Sequence, residues 1–141
     1  MKAMRQSELS SEWATLAEAA LAARAHAYAP YSHFAVGAAL RDEDGRIHTG
    51  CNIENASYGL TVCAERVAIW GAVADGTLAF KALAVASATG AMPCGACRQV
   101  MAEFAPDMPV LVVDGQGQAW MTSVGELLPS SFSQAQLTNE A

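Results

Sequence analysis

The apolar and polar positions of the chain change period several times, and each change marks an element. In SSEWATLAEAALAARAHAY, the residues Trp13, Leu16, Ala17, Ala20, Leu21 and Ala27 fall close to helical spacing. This predicts a helix with Ser10 or Ser11 as its N-cap. Its apolar stripe is narrow and alanine-rich, so the helix is expected to lie on a sheet. APYSH ends it. FAVGAALRDEDGRIHTGC then alternates on either side of Asp-Glu-Asp-Gly, the pattern of a β-hairpin. NIENASYGL has neither period and reads as a loop. Helical spacing returns through Val62, Ala68, Ile69 and Val73 and stops at Gly76, which makes Cys63 the start of a second helix.

Farther along, KALAVASA is an unbroken run of small apolar residues, suited to a strand buried on both faces. A Gly-containing turn leads to Pro93, well placed as the first residue of a helix through Phe104. PVLVVDGQGQAWMT predicts two further strands about DGQG, SVGELL a short last helix, and PSSFSQAQLTNEA a fraying end. Such alternation of strands and helices indicates an α/β layer fold. The 141 residues fit a single domain, 1–141, and chains near this length bury roughly 70% of their unfolded surface. Residues 1–10 and 134–141 are expected to be flexible.

Composition limits the partners. Fourteen acidic against eight basic residues give a formal charge of −6. That balance argues against a surface that tracks nucleic-acid phosphates, though a single small nucleotide is not excluded. No stretch approaches the ~20 apolar residues of a membrane span, and MKAMRQSELSSEW lacks the apolar run of a secretory signal. A cytoplasmic protein is expected. In a reducing compartment its four cysteines are better read as metal ligands or catalysts than as disulfide partners.

Cys94 and Cys97 in PCGACRQV share a face of the first helical turn, and Cys63 begins another helix that a strand crossover could bring alongside. Helix N-termini lower thiol pKa and offer N–H donors to sulfur. Three thiolates suit zinc and leave its fourth position to water, the arrangement of a catalytic rather than a structural site. Glu65, two residues after Cys63, is placed near such a metal as a proton carrier, and Arg66 can offset the charge of three thiolates. Other readings remain open on these residues alone: a redox Cys94–Cys97 pair, or a structural zinc completed by Cys51. His26, His33 and His48 lack metal spacing and read as ordinary surface or packing residues.

CAER and PCGACRQV together resemble the zinc-dependent nucleoside deaminases. YAPYSHFAVGAAL, GCNIENASYGLTVCAERVAI and PCGACRQVMAEF are similar, in that order, to segments of the small homotetrameric cytidine deaminases. The similarity runs from about Tyr28 to Phe132. It implies a three-layer α/β fold, a mixed five-stranded sheet flanked by helices. It also implies Zn2+ on Cys63, Cys94 and Cys97, proton transfer by Glu65, and Arg66 bonded to the ligand thiolates. Asn52 and Glu54 would bind ribose hydroxyls, Phe34 would lie beside the pyrimidine, and the Ala64 backbone would hold the base edge. Phe132 is similar to an aromatic residue that reaches a neighbouring subunit's site. The implied reaction is hydrolytic deamination of cytidine or deoxycytidine, in pyrimidine salvage. Blasticidin S deaminase resembles the chain at CAE and PCxxC but lacks the NIEN pair. The SATGAM connection is short for the family, and the residues before Ser11 have no counterpart.

Overall fold

A computed structural model describes residues 1–137 of the protein. In chain order the elements are β1 (Lys2–Arg5), α1 (Ser11–Arg24), β2 (Val36–Asp42), β3 (Ile47–Cys51), α2 (Ala64–Ala74) and β4 (Phe80–Ser87). They continue with α3 (Gly95–Phe104), β5 (Pro109–Val113), β6 (Gln118–Ser123) and α4 (Val124–Leu127). The strands form one sheet in the order β1-β6-β5-β4-β2-β3. β4 and β5 are parallel across the α3 crossover, and the other neighbours are antiparallel.

The sheet is covered on both faces because its central strands carry apolar residues on both sides. Along β4, Leu83 and Val85 face α2 and α3, while Ala82, Ala84 and Ala86 face α1. In β5, Val110 and Val112 join the first core and Leu111 and Val113 the second. Burial of each Leu or Val in these layers is worth roughly 1.5–3 kcal/mol relative to exposure. The predicted stripe of α1 is the buried one, Leu16, Ala17 and Ala20, with Trp13 and Leu21 packed at its margin. Ser10 is its N-cap, accepting from the Trp13 N–H.

Two glycines let the helices approach closely. A Cβ on Gly37 would lie 2.0 Å from the Ala20 carbonyl oxygen of α1, and one on Gly50 would lie 2.5 Å from the Ala64 oxygen and the Ala68 nitrogen of α2. The two hairpins close on the same turn. In each, an aspartate Oδ1 (Asp42, Asp114) accepts the backbone N–H two and four residues on. Gly45 and Gly117 supply the positive φ that this turn requires.

The structure departs from expectation in three places. The sheet has six strands rather than five, because the N-terminal residues are not loose. Lys2–Arg5 pair with β6, the terminal ammonium meets Glu126 at 3.0 Å, and Gln6 Nε2 donates to the carbonyls of Asp114 and Gln118. Helix α3 starts after Cys94, not at Pro93, since Cys94 is extended (φ −70°, ψ 168°) and serves as the N-cap. At the C-terminal end, Gln134–Leu137 form a 3₁₀ turn, and the remainder of the expected flexible tail lies outside the described residues.

Candidate active site

Helices α2 and α3 begin in the same way, each with an extended cysteine as N-cap whose sulfur makes no capping bond. The two sulfurs are therefore available to each other. Cys63 Sγ lies 3.7 Å from Cys94 Sγ, and Cys94 Sγ lies 3.5 Å from Cys97 Sγ. All three fall within 4.8 Å of one another. A disulfide needs about 2.05 Å, so these are separate thiols. A tetrahedral ion about 2.3 Å from each sulfur would hold them roughly 3.8 Å apart, close to what is found. The donor set therefore fits zinc. Cys51, at the end of β3, is outside the group, which leaves a closed four-cysteine site without its fourth ligand. Burial pushes the Cys51 thiol up.

The local electrostatics favour a thiolate on Cys63. Hydrogen bonding from Cys97 is the main cause; Arg66 and Cys94 add to it against partial burial, and the thiol falls to about 5. Cys97 shifts upward, because its proton is shared with Cys63 and it is buried. Arg66 Nη2 donates to Cys63 Sγ at 3.2 Å, and the guanidinium is held more firmly protonated by that contact. Arg66 Nε is buried with no hydrogen-bond partner.

Glu65 lies on the same turn, 4% exposed. Burial pushes its carboxyl up; its own backbone N–H opposes this, and the charge of Cys63 adds to it. A buried carboxyl beside a cysteine cluster is placed as a proton carrier would be.

Part of this group lines a cavity of about 260 Å³. Cys63, Ala64, Glu65 and Cys94 share it with the polar residues Ser32, Asn52, Glu54 and Thr61 and the apolar residues Phe34, Val36, Val85, Ala91 and Met92. The volume is near the lower bound of roughly 300 Å³ for small-molecule sites. Among the described residues, its lining has two carboxylates and no cationic side chain. Asn52 is buried, with Nδ2 donating to the Phe34 carbonyl at 2.7 Å and Oδ1 accepting from Val36 N–H at 2.9 Å. An open hollow of about 400 Å³, lined by Tyr31, Ser32, Glu54, Tyr58 and Thr61, adjoins through Glu54.

The structure thus gathers Cys63, Cys94, Glu65, Ala64, Asn52, Glu54 and Phe34 in the lining of one cavity, with buried Cys97 completing the sulfur cluster and Arg66 bonded to Cys63. Phe132 is not among the lining residues. It is 57% exposed, and its backbone carbonyl accepts from Gln99 Nε2 at 2.9 Å. Sequence reasoning missed Ser32, Thr61, Val36, Val85, Ala91 and Met92. Ser32 carried a signal, a hydroxyl beside a chain reversal; the apolar walls carried none. His48 is a packing residue, bonded to buried Asp42 at 2.9 Å.

Residues 10–113 match the family model described as the cytidine and deoxycytidylate deaminase zinc-binding region. A cytidine deaminase of Sporosarcina psychrophila is 53% identical over 122 residues, covering 84% of this chain and 90% of that protein. The crystal structure of a cytidine deaminase from Burkholderia pseudomallei superposes with a TM-score of 0.83 at 50% identity, covering 88% of this chain and all of that one. A blasticidin-S deaminase of Bacillus cereus is 33% identical over 108 residues, covering 70% of this chain and 76% of that protein.

Proposed function

Because the chain belongs to the cytidine and deoxycytidylate deaminase family, we propose that it hydrolyses cytidine or deoxycytidine to the uridine nucleoside and ammonia. The observation that carries this reading is a cluster of three sulfurs, two of them lining the same cavity as buried Glu65 and the Asn52–Glu54 pair. Cys63, Cys94 and Cys97 would hold zinc, which when bound supplies a Lewis acid that lowers the pKa of water toward ~7 from about 15.7.

Glu65 carries the protons. Its carboxylate takes one from the attacking water and gives it to ring N3, which makes C4 electrophilic. It then takes the proton of the new C4 hydroxyl and delivers it to the exocyclic amine, so that ammonia leaves and a C4 carbonyl remains. Asn52 retains one N–H and one lone pair beyond its contacts with Phe34 and Val36, and Glu54 offers a carboxylate; both suit a sugar hydroxyl that donates and accepts. Phe34 flanks the pyrimidine and the Ala64 backbone meets its edge. The absence of a cation in the lining, with an acidic chain around it, favours a neutral nucleoside over a nucleotide. The Asn52–Glu54 pair, with the higher identity to cytidine deaminases, favours a nucleoside over blasticidin S.

The chain would act as one domain within a homotetramer, in pyrimidine salvage. Support for assembly is the exposure of the apolar side chains of Tyr58, Leu60 and Phe132. Unpaired Cys51, Cys63, Cys94 and Cys97 fit the reducing cytoplasm. Among the described residues no helix is long and apolar enough to cross a membrane. The test is to mix zinc-replete protein with cytidine and follow conversion to uridine by ultraviolet absorbance. Conversion supports the assignment; no conversion with zinc bound overturns it.

A further inference from the structure

Glu54 is held on three sides by the short segment before β2. The backbone N–H groups of Tyr31 and Ser32 donate to its Oε1 at 2.9 and 3.1 Å, and the Ser32 hydroxyl donates to its Oε2. The same Ser32 oxygen accepts the Phe34 N–H at 3.0 Å, and the Phe34 carbonyl accepts from Asn52 Nδ2. One hydrogen-bonded chain therefore runs Glu54, Ser32, Phe34, Asn52, joining the polar residues of the cavity to its aromatic wall. His33 stands between Ser32 and Phe34 with φ +57°, in the left-handed region. That reversal brings the Phe34 N–H back to the hydroxyl two residues earlier, and a strained residue is kept here where the network depends on it.

Counting acceptor sites shows what the hydroxyl does. An ionised carboxylate has about four lone-pair sites, two on each oxygen. Tyr31 and Ser32 N–H use both on Oε1, and Ser32 Oγ uses one on Oε2. A single site remains, on Oε2, and Glu54 lines the cavity.

We propose that Ser32 is a positioning residue for the sugar end of the cavity: its hydroxyl fixes the Glu54 carboxylate so that Oε2 presents one acceptor site to a ribose hydroxyl, and ties that carboxylate to Phe34. This rests on the reading of Glu54 as a ribose ligand. Without the hydroxyl, Oε2 turns to solvent or to the adjoining hollow, and the Phe34 N–H loses its acceptor. Ground-state binding suffers while the proton chemistry at Glu65 does not.

The test compares cytidine with 2′,3′-dideoxycytidine, which lacks both ring hydroxyls, on zinc-loaded enzyme. The dideoxy compound is followed as a substrate or, where turnover is too slow, as a competitive inhibitor. Ser32→Ala is expected to raise KM for cytidine on the order of tenfold, with kcat within about twofold and a clearly smaller rise for the dideoxy compound, which meets Phe34 but not Glu54. Ser32→Thr, which keeps the hydroxyl, is expected to restore KM. In a Glu54→Ala background, Ser32→Ala is expected to cost clearly less than it does alone. Equal losses on both compounds, an unchanged cytidine KM, or additivity with Glu54→Ala would overturn the proposal while leaving Glu54 as a ribose ligand. If Glu54→Ala itself fails to distinguish the two compounds, the ribose reading falls and the role of Ser32 falls with it.

Discussion

Arg66 reaches back one turn of α2 to place Nη2 3.2 Å from the Sγ of Cys63, so a sulfur proposed to hold zinc and its counter-charge are carried by one helix. Its guanidinium carbon also lies 5.8 Å from the Trp70 ring centroid, which fixes the side chain from the other side. Three thiolates around a divalent ion leave a net negative charge that this cation offsets. Arg66→Gln is expected to weaken zinc binding about 10- to 100-fold, read by competition with a chromophoric chelator. Arg66→Lys should recover only part of the loss, because a point charge cannot reproduce the planar fork. Wild-type affinity in Arg66→Gln would show that the thiols do not depend on the guanidinium.

Glu65 is expected to behave differently from the cysteines. Glu65→Gln keeps the shape and burial of the side chain but cannot take a proton. Zinc content by atomic absorption should match wild type, while turnover falls by about 10²- to 10⁴-fold. Chelation should abolish wild-type turnover and added zinc restore it, and zinc should restore nothing in the variant. A zinc-replete Glu65→Gln protein with wild-type turnover would remove the carboxylate from the mechanism.

The parts of the molecule readable in the sequence are those where burial leaves a period. Leu16, Ala17 and Ala20 spell out α1, and the unbroken KALAVASA run announces a strand covered on both faces. β1 leaves no such mark, since Lys2, Ala3 and Arg5 are exposed and its order comes from backbone pairing with β6. The cysteine cluster was legible because its spacing is local: Cys63 with Glu65, Cys94 with Cys97. The rest of the cavity lining was named only through resemblance. Phe34, Asn52 and Glu54 meet through hydrogen bonds across 16 to 22 residues of separation. Ala91, Met92 and Val85 become walls only once β4 and its following loop are folded against β2.

Gly50 links the sheet to the metal-binding end. A Cβ there would lie 2.5 Å from backbone atoms of Ala64 and Ala68, which cannot swing aside as a side chain would. Gly50→Ala must therefore lift α2, and Cys63 sits at that helix's N-terminus while Cys94 sits on α3. Thermal unfolding is expected to show a loss of roughly 1–3 kcal/mol, typical of overpacking. Zinc affinity should fall with it. A lower Tm with unchanged affinity would mean that α2 relaxes without moving its first turn.

Asp42 gives the fold a dependence on acid. Its carboxylate is 1% exposed and accepts from His48 Nε2 at 2.9 Å and from the backbone N–H groups of Asp44 and Arg46. The bond from His48 is the largest of the causes that hold its pKa below the usual aspartate range; burial opposes it, and Arg46 assists. The folded pKa is therefore lower than the unfolded value of about 3.9, so the stabilisation is complete above that pH and disappears as pH falls through the folded value. Asp42→Asn retains an Oδ1 acceptor for the turn but not the charge. Its urea midpoint is expected to fall below wild type at pH 7 and 5.5, with the gap closing as pH drops below about 4. A gap that stays constant from pH 7 to 3 would assign the effect to packing of the amide, not to the charge facing His48.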